Sequence, residues 1–255
     1  MTLNELDSYF KTLLKIEDFT NDVSVNGIQI QNSSPDTKQI KKVCFAVDAC
    51  EQTALKAAEL GADVLFVHHG LFWPHGEVLT GAAYKRVSAF VKNDLALYAC
   101  HIPLDANNPY GNNYGLAARI GLEDVTSFAS WRGMILGVKG KLKNPVSIEQ
   151  LASLALKDGE KLLKILPFGK ETISTVGIVS GGAAEDVEQA IELGLDAFIT
   201  GEIEHQLYHY IKESGINFLA LGHYNTETVG VSLLAEKLAK DTGIETRFID
   251  FPTGL

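Results

Sequence analysis

The chain repeats itself, and that repeat limits it to a small set of folds. A displacement of 133 positions lays residues 43–69 on 176–202 without a gap. Val43, Ala57, Glu59, Leu60, Gly61 and Asp63 then meet identical residues at Val176, Ala190, Glu192, Leu193, Gly194 and Asp196. Both copies share one rhythm: an apolar strand, a small or acidic turn, a helix and a second apolar strand. Residues 43–47 and 176–179 are too continuously apolar for strands with one wet face, and they suit a parallel sheet covered on both sides. Gly61 and Gly194 fall at helix C-termini, where positive φ is often required.

A second displacement, of 122 positions, lays Leu97, His101, Leu116, Ala117 and Gly121 on Leu219, His223, Leu238, Ala239 and Gly243, and sets Asp105 against Glu227. The two offsets differ by 11, so the first copy carries an insertion between its second and third strands. The loop from Leu71 to Gly81 is the candidate, and its place after a parallel strand predicts that it covers a ligand site. Residues 131–142 suggest antiparallel strands. Ser147-Ile-Glu-Gln150 opens a helix with a capping box, as do Thr2 and Glu5 at the N-terminus. No Ser/Gly-rich linker separates the copies. The reading is α/β, with two similar mixed-sheet lobes from an internal duplication, residues 1–126 and 127–255, closely packed with a site between them.

The copies share chemistry as well as shape. His101-Ile-Pro-Leu-Asp105 and His223-Tyr-Asn-Thr-Glu227 carry a His and a carboxylate at the same spacing, and His68-His69 ends the apolar run at 64–67. Neutral imidazole with carboxylate suits Zn, Mn, Fe, Ni or Co. Adjacent histidines on a continuing strand would face opposite sides. At a strand end entering Gly70 the chain can twist and each ring can serve one ion, which favours two metals over one. Asp105 and Glu227 would then bridge or flank ions about 3.5–4 Å apart. Burying two unpaired imidazoles is costly, which favours a ligand role for the pair. His75 and His209 have no partner at ligand spacing and read as bystanders; His205 reads as helix surface or as a group behind the ligands. Ser180-Gly-Gly182 lacks a full phosphate-binding pattern and reads as a tight turn, like Gly111-Asn-Asn113. No nucleophile elbow is present.

Composition narrows the partners. The 255 residues are 46% hydrophobic with a net charge of −10. That balance repels phosphate backbones, and no basic run offsets it, so nucleic acid is disfavoured. The N-terminus has no signal pattern and no apolar stretch approaches the ~20 residues of a membrane span, so a cytoplasmic protein is expected. Cys44, Cys50 and Cys100 lack C-x-x-C spacing and read as small, reduced core residues.

Val67-His-His-Gly-Leu-Phe-Trp73, His101-Ile-Pro-Leu-Asp105, Thr200-Gly-Glu202, Gly222-His-Tyr-Asn-Thr-Glu227 and Phe248-Ile-Asp-Phe-Pro252 together resemble the NGG-interacting-factor-like family, whose members are commonly named GTP cyclohydrolase I type 2 homologues. The resemblance covers nearly the whole chain, in a short form without the domain that longer relatives insert between the halves. It implies a two-lobed α/β fold, a dinuclear metal centre and a ring-shaped homohexamer. Carried over, the metal ligands are His68, His69, Asp105, His223 and Glu227, with Glu227 as bridge. His101 and Glu202 match positions near the metals, where they would either support the ligands from behind or transfer protons. Tyr224 departs from the family, many of whose members have another His there. The implied function is a metal-dependent hydrolase with two divalent ions (Zn, Fe, Mn, Ni or Co), acting on a nucleotide or similar small molecule. The alternative is a non-catalytic protein that stores, delivers or senses metal.

Overall fold

The computed structural model describes residues 1–255 except His75 and Glu77, so the bystander reading of His75 lies outside the described residues. In chain order the elements are α1 (Leu3–Leu14), β1 (Gly27–Ile30), β2 (Lys42–Asp48), α2 (Glu51–Glu59), β3 (Val64–His69), α3 (Gly81–Lys92), β4 (Ala96–Ala99), α4 (Ile102–Ala106) and α5 (Asn112–Arg119). There follow β5 (Leu122–Trp131), β6 (Met134–Val146), α6 (Ile148–Ala155), β7 (Lys164–Pro167), β8 (Ile173–Ile178), α7 (Val187–Glu192), β9 (Ala197–Thr200), α8 (Leu207–Ser214), β10 (Asn217–Ala220), α9 (His223–Thr242) and β11 (Glu245–Phe248). They make an α/β fold with two mixed sheets. Two compact units result: Met1–Tyr110 with Val231–Phe251, and Gly111–Gly230 with Pro252–Leu255. These limits differ from the halves read in the sequence. A cut after residue 126 passes through β5, and β11 pairs with β2 in the first sheet.

In the first unit the strand order is β1-β4-β3-β2-β11, with β1 antiparallel to β4 and the other pairs parallel. Alternate residues divide the core between the two sheet faces. Phe45, Phe66 and Tyr98 point to one face, where Phe10 of α1 meets Phe66 and Tyr98 at ring separations of 4.8 and 5.0 Å. Cys44, Leu65 and Leu97 point to the other and pack on Ala54 and Ala57 of α2 and Ala89 and Phe90 of α3. Each such large side chain, once buried, contributes about 1.5–3 kcal/mol. Leu3, Leu6, Phe10 and Leu14 form the buried stripe of α1, and the expected capping box starts it: Glu5 N donates to Thr2 Oγ1 and Thr2 N to Glu5 Oε2.

The second unit has the order β5-β6-β8-β9-β10-β7. Its β7-β10-β9-β8 portion reproduces β1-β4-β3-β2: three parallel strands in sequence order, closed by an antiparallel edge strand. The matched residues repeat their contacts. Asp63 Oδ2 accepts from Lys41 N and Lys42 N at 2.8 and 3.2 Å. Asp196 Oδ2 accepts from Ser174 N and Thr175 N, both at 3.0 Å, each 133 positions on. Gly61 and Gly194 have φ of 69° and 66°, which a side chain would strain.

The remaining elements refine the sequence reading. β5 and β6 are the expected antiparallel pair, but β5 begins at Leu122, where interspersed Glu, Asp, Thr and Ser hide its buried positions. α6 starts with the expected Ser147–Gln150 capping box. The Gly111-Asn-Asn113 segment is more than a turn. Both asparagines are buried in the first turn of α5, and Asn113 Oδ1 accepts from Ser180 N at 2.7 Å while its Nδ2 donates to Leu136 O at 2.9 Å. Among the described residues, no helix is long and apolar enough to cross a membrane.

Candidate metal centre

In the first unit, the donors stand at the carboxyl ends of parallel strands, where an α/β sheet leaves its crevice. β3 ends in His68 and His69, and β4 leads through Cys100 to His101 at the start of α4. Asp105 lies one turn further along α4, on the same face as His101. The rings of His68, His69 and His101 gather at centroid separations of 4.5, 5.1 and 5.7 Å. One donor atom from each lies within 4.8 Å of the others.

Each ring is held from behind. His68 Nδ1 faces Cys100 O at 3.1 Å, His69 Nδ1 faces Asp48 Oδ1 at 2.8 Å, and His101 Nδ1 faces Asp22 Oδ1 at 2.8 Å. A carbonyl only accepts, so the proton of neutral His68 sits on Nδ1 and the lone pair on Nε2. That Nε2 faces Asp105 Oδ2 at 3.6 Å, with His68 fully buried. A lone pair and a carboxylate facing each other in a buried place repel, unless the ring carries a second proton or a cation joins them. Imidazoles that ligate metals have this arrangement, with the far nitrogen given to a carboxylate or carbonyl. The donor set therefore fits a divalent ion.

Asp22 and Asp48 were missed in the sequence. Asp48 had a signal, since it ends β2 in parallel register with His69. Asp22 had none, because it lies in an irregular segment remote in sequence from His101. Burial pushes Asp22 upward, but the hydrogen bond and charge of His101, with Asn26 and Ser24, outweigh it and hold the carboxyl below its usual range. Asp22 Oδ2 also accepts from Ile102 N, and Asn26 Oδ1 from His101 N, which fixes the start of α4.

In the second unit, His223 and Glu227 occupy the first turns of α9, and Glu202 follows β9. His223 Nε2 lies 3.0 Å from Glu227 Oε1, and its Nδ1 lies 2.6 Å from Glu202 Oε1. Burial lowers this imidazole, but the two carboxylates raise it further, to about 9. This histidine has acidic oxygen at both nitrogens. The Ser180–Gly182 turn lies against this pair, and a Cβ on Gly181 would overlap Glu227 Oε1. Gly181 N donates to Thr226 Oγ1, and Gly181 O accepts from Gly201 N. The turn reading holds, with a packing role added.

Among the described residues, the other histidines stay apart. His205 and His209 are exposed, and His209 meets the Tyr208 ring edge-on. Cys44 and Cys100 are buried and Cys50 half-buried, all as free thiols. Burial pushes Cys44 up to about 11 and Cys100 well above its ordinary value, which keeps both protonated. Cys50 Sγ accepts from Thr53 N to cap α2. The inserted loop opens beside the histidines: Leu71 N and Phe72 N both donate to Gln29 Oε1, and Trp73 meets the His101 ring at 5.3 Å.

The DUF34/NIF3 (NGG1p interacting factor 3) family model matches residues 1–253. A protein of Treponema pallidum named GTP cyclohydrolase 1 type 2 homolog is 44% identical, with all of both chains covered. One of the same name from Escherichia coli K12 is 34% identical over 91% of each chain. The solved structure of TTHA1606 from Thermus thermophilus superposes with a TM-score of 0.87 at 34% identity, over the full length of both chains. A structure described as protein ybgI, of unknown function, gives 0.89 at 33% identity and the same coverage. A family model spanning nearly every residue, with relatives matched end to end, leaves one assignment: the chain belongs to the DUF34/NIF3 family.

Proposed function

We propose that the protein binds two divalent metal ions and uses them in hydrolysis of a nucleotide or similar small molecule. The supporting observation is the placing of His68, its proton fixed on Nδ1 by Cys100 O and its Nε2 turned toward Asp105. The proposed ligands are His68, His69, Asp105, His223 and Glu227, with Glu227 as the bridge. Divalent ions held there would supply Lewis acidity and bring the pKa of a coordinated water to about 7. The chain's own work is orientation and proton handling. Cys100 O and Asp48 fix the faces that His68 and His69 present, and Asp22 fixes His101. Glu202, with its side chain 44% exposed and bonded to His223 Nδ1, would pass a proton to solvent. The names of the relatives motivate a guanosine nucleotide as the first substrate to try.

Elemental analysis of freshly purified protein tests the ligand set. Glu227→Gln should lose at least half of the bound metal, because a neutral amide is a poor bridge, while His209→Ala should lose none. Full occupancy in a folded Glu227→Gln variant removes Glu227 from the set. An activity screen over nucleotides and phosphoesters, with each metal restored, then tests hydrolysis. Metal that is held but released readily to a chelator, without turnover of any substrate, favours the storage or delivery reading. The homohexamer belongs to the same proposal, and a monomer in sedimentation at micromolar concentration refutes it.

A further inference from the structure

The inserted loop carries an indole, Trp73, that the metal chemistry does not use. Trp73 is half-buried and stands edge-to-face on His101, with ring centroids 5.3 Å apart and planes at 76°. Its approach is fixed with some care. Gln29 Oε1 accepts from Leu71 N at 2.7 Å and Phe72 N at 3.0 Å, and Gln29 Nε2 donates to Phe72 O at 3.1 Å. Val25 N donates to the same carbonyl at 3.3 Å. The Gln29 amide fills the space that a side chain on residue 70 would need, so Gly70 admits the clasp. The matched region of the second unit has only residues 201–206 between β9 and α8, against 70–80 between β3 and α3. The loop that carries the indole is thus five residues longer than its counterpart, with the indole on a braced backbone beside His101.

We propose that Trp73 is a positioning residue that stacks a planar heteroaromatic ring of the substrate and sets that ring beside the His68-His69-His101 cluster. An edge-to-face contact with His101 engages the indole without covering both its faces, and a π-face stacks on any base whatever its hydrogen-bonding edge. Gln29 acts through Trp73, by holding the strand of loop that carries it. The inference rests on the nucleotide reading above and narrows it to substrates with a flat ring.

The chain has two tryptophans, so Trp131→Phe leaves Trp73 as the only indole in an otherwise intact, metal-loaded protein. The probes are guanosine 5′-monophosphate and ribose 5-phosphate, followed by fluorescence and calorimetry. Guanosine monophosphate should quench Trp73 and ribose 5-phosphate should not. Trp73→Leu should weaken guanosine monophosphate binding about tenfold, the scale of one lost base-stacking contact. Trp73→Phe should keep most of the affinity, and both variants should keep their metal and their affinity for ribose 5-phosphate. Loss of metal in Trp73→Leu and Trp73→Phe alike would instead make the indole a packing support for His101 and overturn the proposal. So would guanosine monophosphate binding of equal strength to Trp73→Leu and wild type, or no binding to the metal-loaded protein. Quenching without turnover of any nucleotide upholds the stacking and refutes the hydrolase. Turnover that Trp73→Leu leaves untouched does the reverse.

Discussion

At the scale of single residues, the two copies of the repeat have diverged in step. The position of Asp105 is taken by Glu227, one methylene longer, and the position 133 beyond Asp48 is taken by Gly181. The glycine gives the longer acid its room, since a Cβ there would overlap Glu227 Oε1. Gly181→Ala should therefore cost metal as well as stability. Gly194→Ala separates the two effects: φ is +66° there against +70° at Gly181, but a Cβ at 194 meets nothing within 4 Å. Both variants should lose about 1–2 kcal/mol to left-handed strain, and only Gly181→Ala should lose bound metal by elemental analysis. Equal metal in the two would show that Glu227 tolerates displacement. The candidate donors were legible because each pairs a His with an acid or another His at short spacing. The groups behind them were not. Asp22 braces His101 across 79 positions of sequence, and no local pattern marks such a contact.

At the scale of elements, the parallel strands were legible because strands covered on both faces must be apolar throughout. The edges were not. β11 is a four-residue strand with alternating exposed and half-buried positions, so it carries little hydrophobic signal, yet it extends the first sheet through β2. The junction of α7 shows how one polar group can work against such packing. Burial raises the Asp186 carboxyl to about 6, with Gln189 pulling it down and Glu185 adding to the rise. Asp186 makes no side-chain cap bond to the α7 backbone, and its Oδ1 accepts from Gln189 Nε2 at 2.6 Å. An unfolded Asp ionises near pH 4. The folded chain keeps a proton that the unfolded chain loses between about pH 4 and 6, so stability falls as pH rises through that window. Asp186→Asn keeps an oxygen for Gln189 and removes the ionisation. It should add about 1–2 kcal/mol at pH 7.5, discounting the full shift for partial exposure, and nothing at pH 4. Urea denaturation at the two pH values measures this, and an equal gain at both would show that the charge is not the cause.

At the scale of the whole molecule, the chain leaves the first unit after Tyr110 and re-enters it at Val231, inside α9. His223 and Glu227 thus begin a helix whose later turns belong to the other unit. This is why fragments cut at residue 126 would test the proposed site poorly: a 1–126 piece lacks β11 and the end of α9, and would lose metal simply by failing to fold. Point variants in the intact protein avoid that fault. If the five proposed ligands serve one centre, metal binding is coupled to folding. An ion present at 100 times its Kd should then stabilise the wild type by about 2.7 kcal/mol. For a chain of this length that is a rise in Tm of about 5–10 °C. His68→Ala and Glu227→Gln each remove one proposed donor, and either change alone should abolish most of the rise. The double variant should then show little further loss, since residues acting as a set are not additive. Two independent half-sites give another pattern: each single variant keeps about half of the metal-induced rise, and the double variant loses the sum. Scanning calorimetry with and without added zinc or manganese distinguishes the two, and the additive result would mean that the duplication made two sites rather than one.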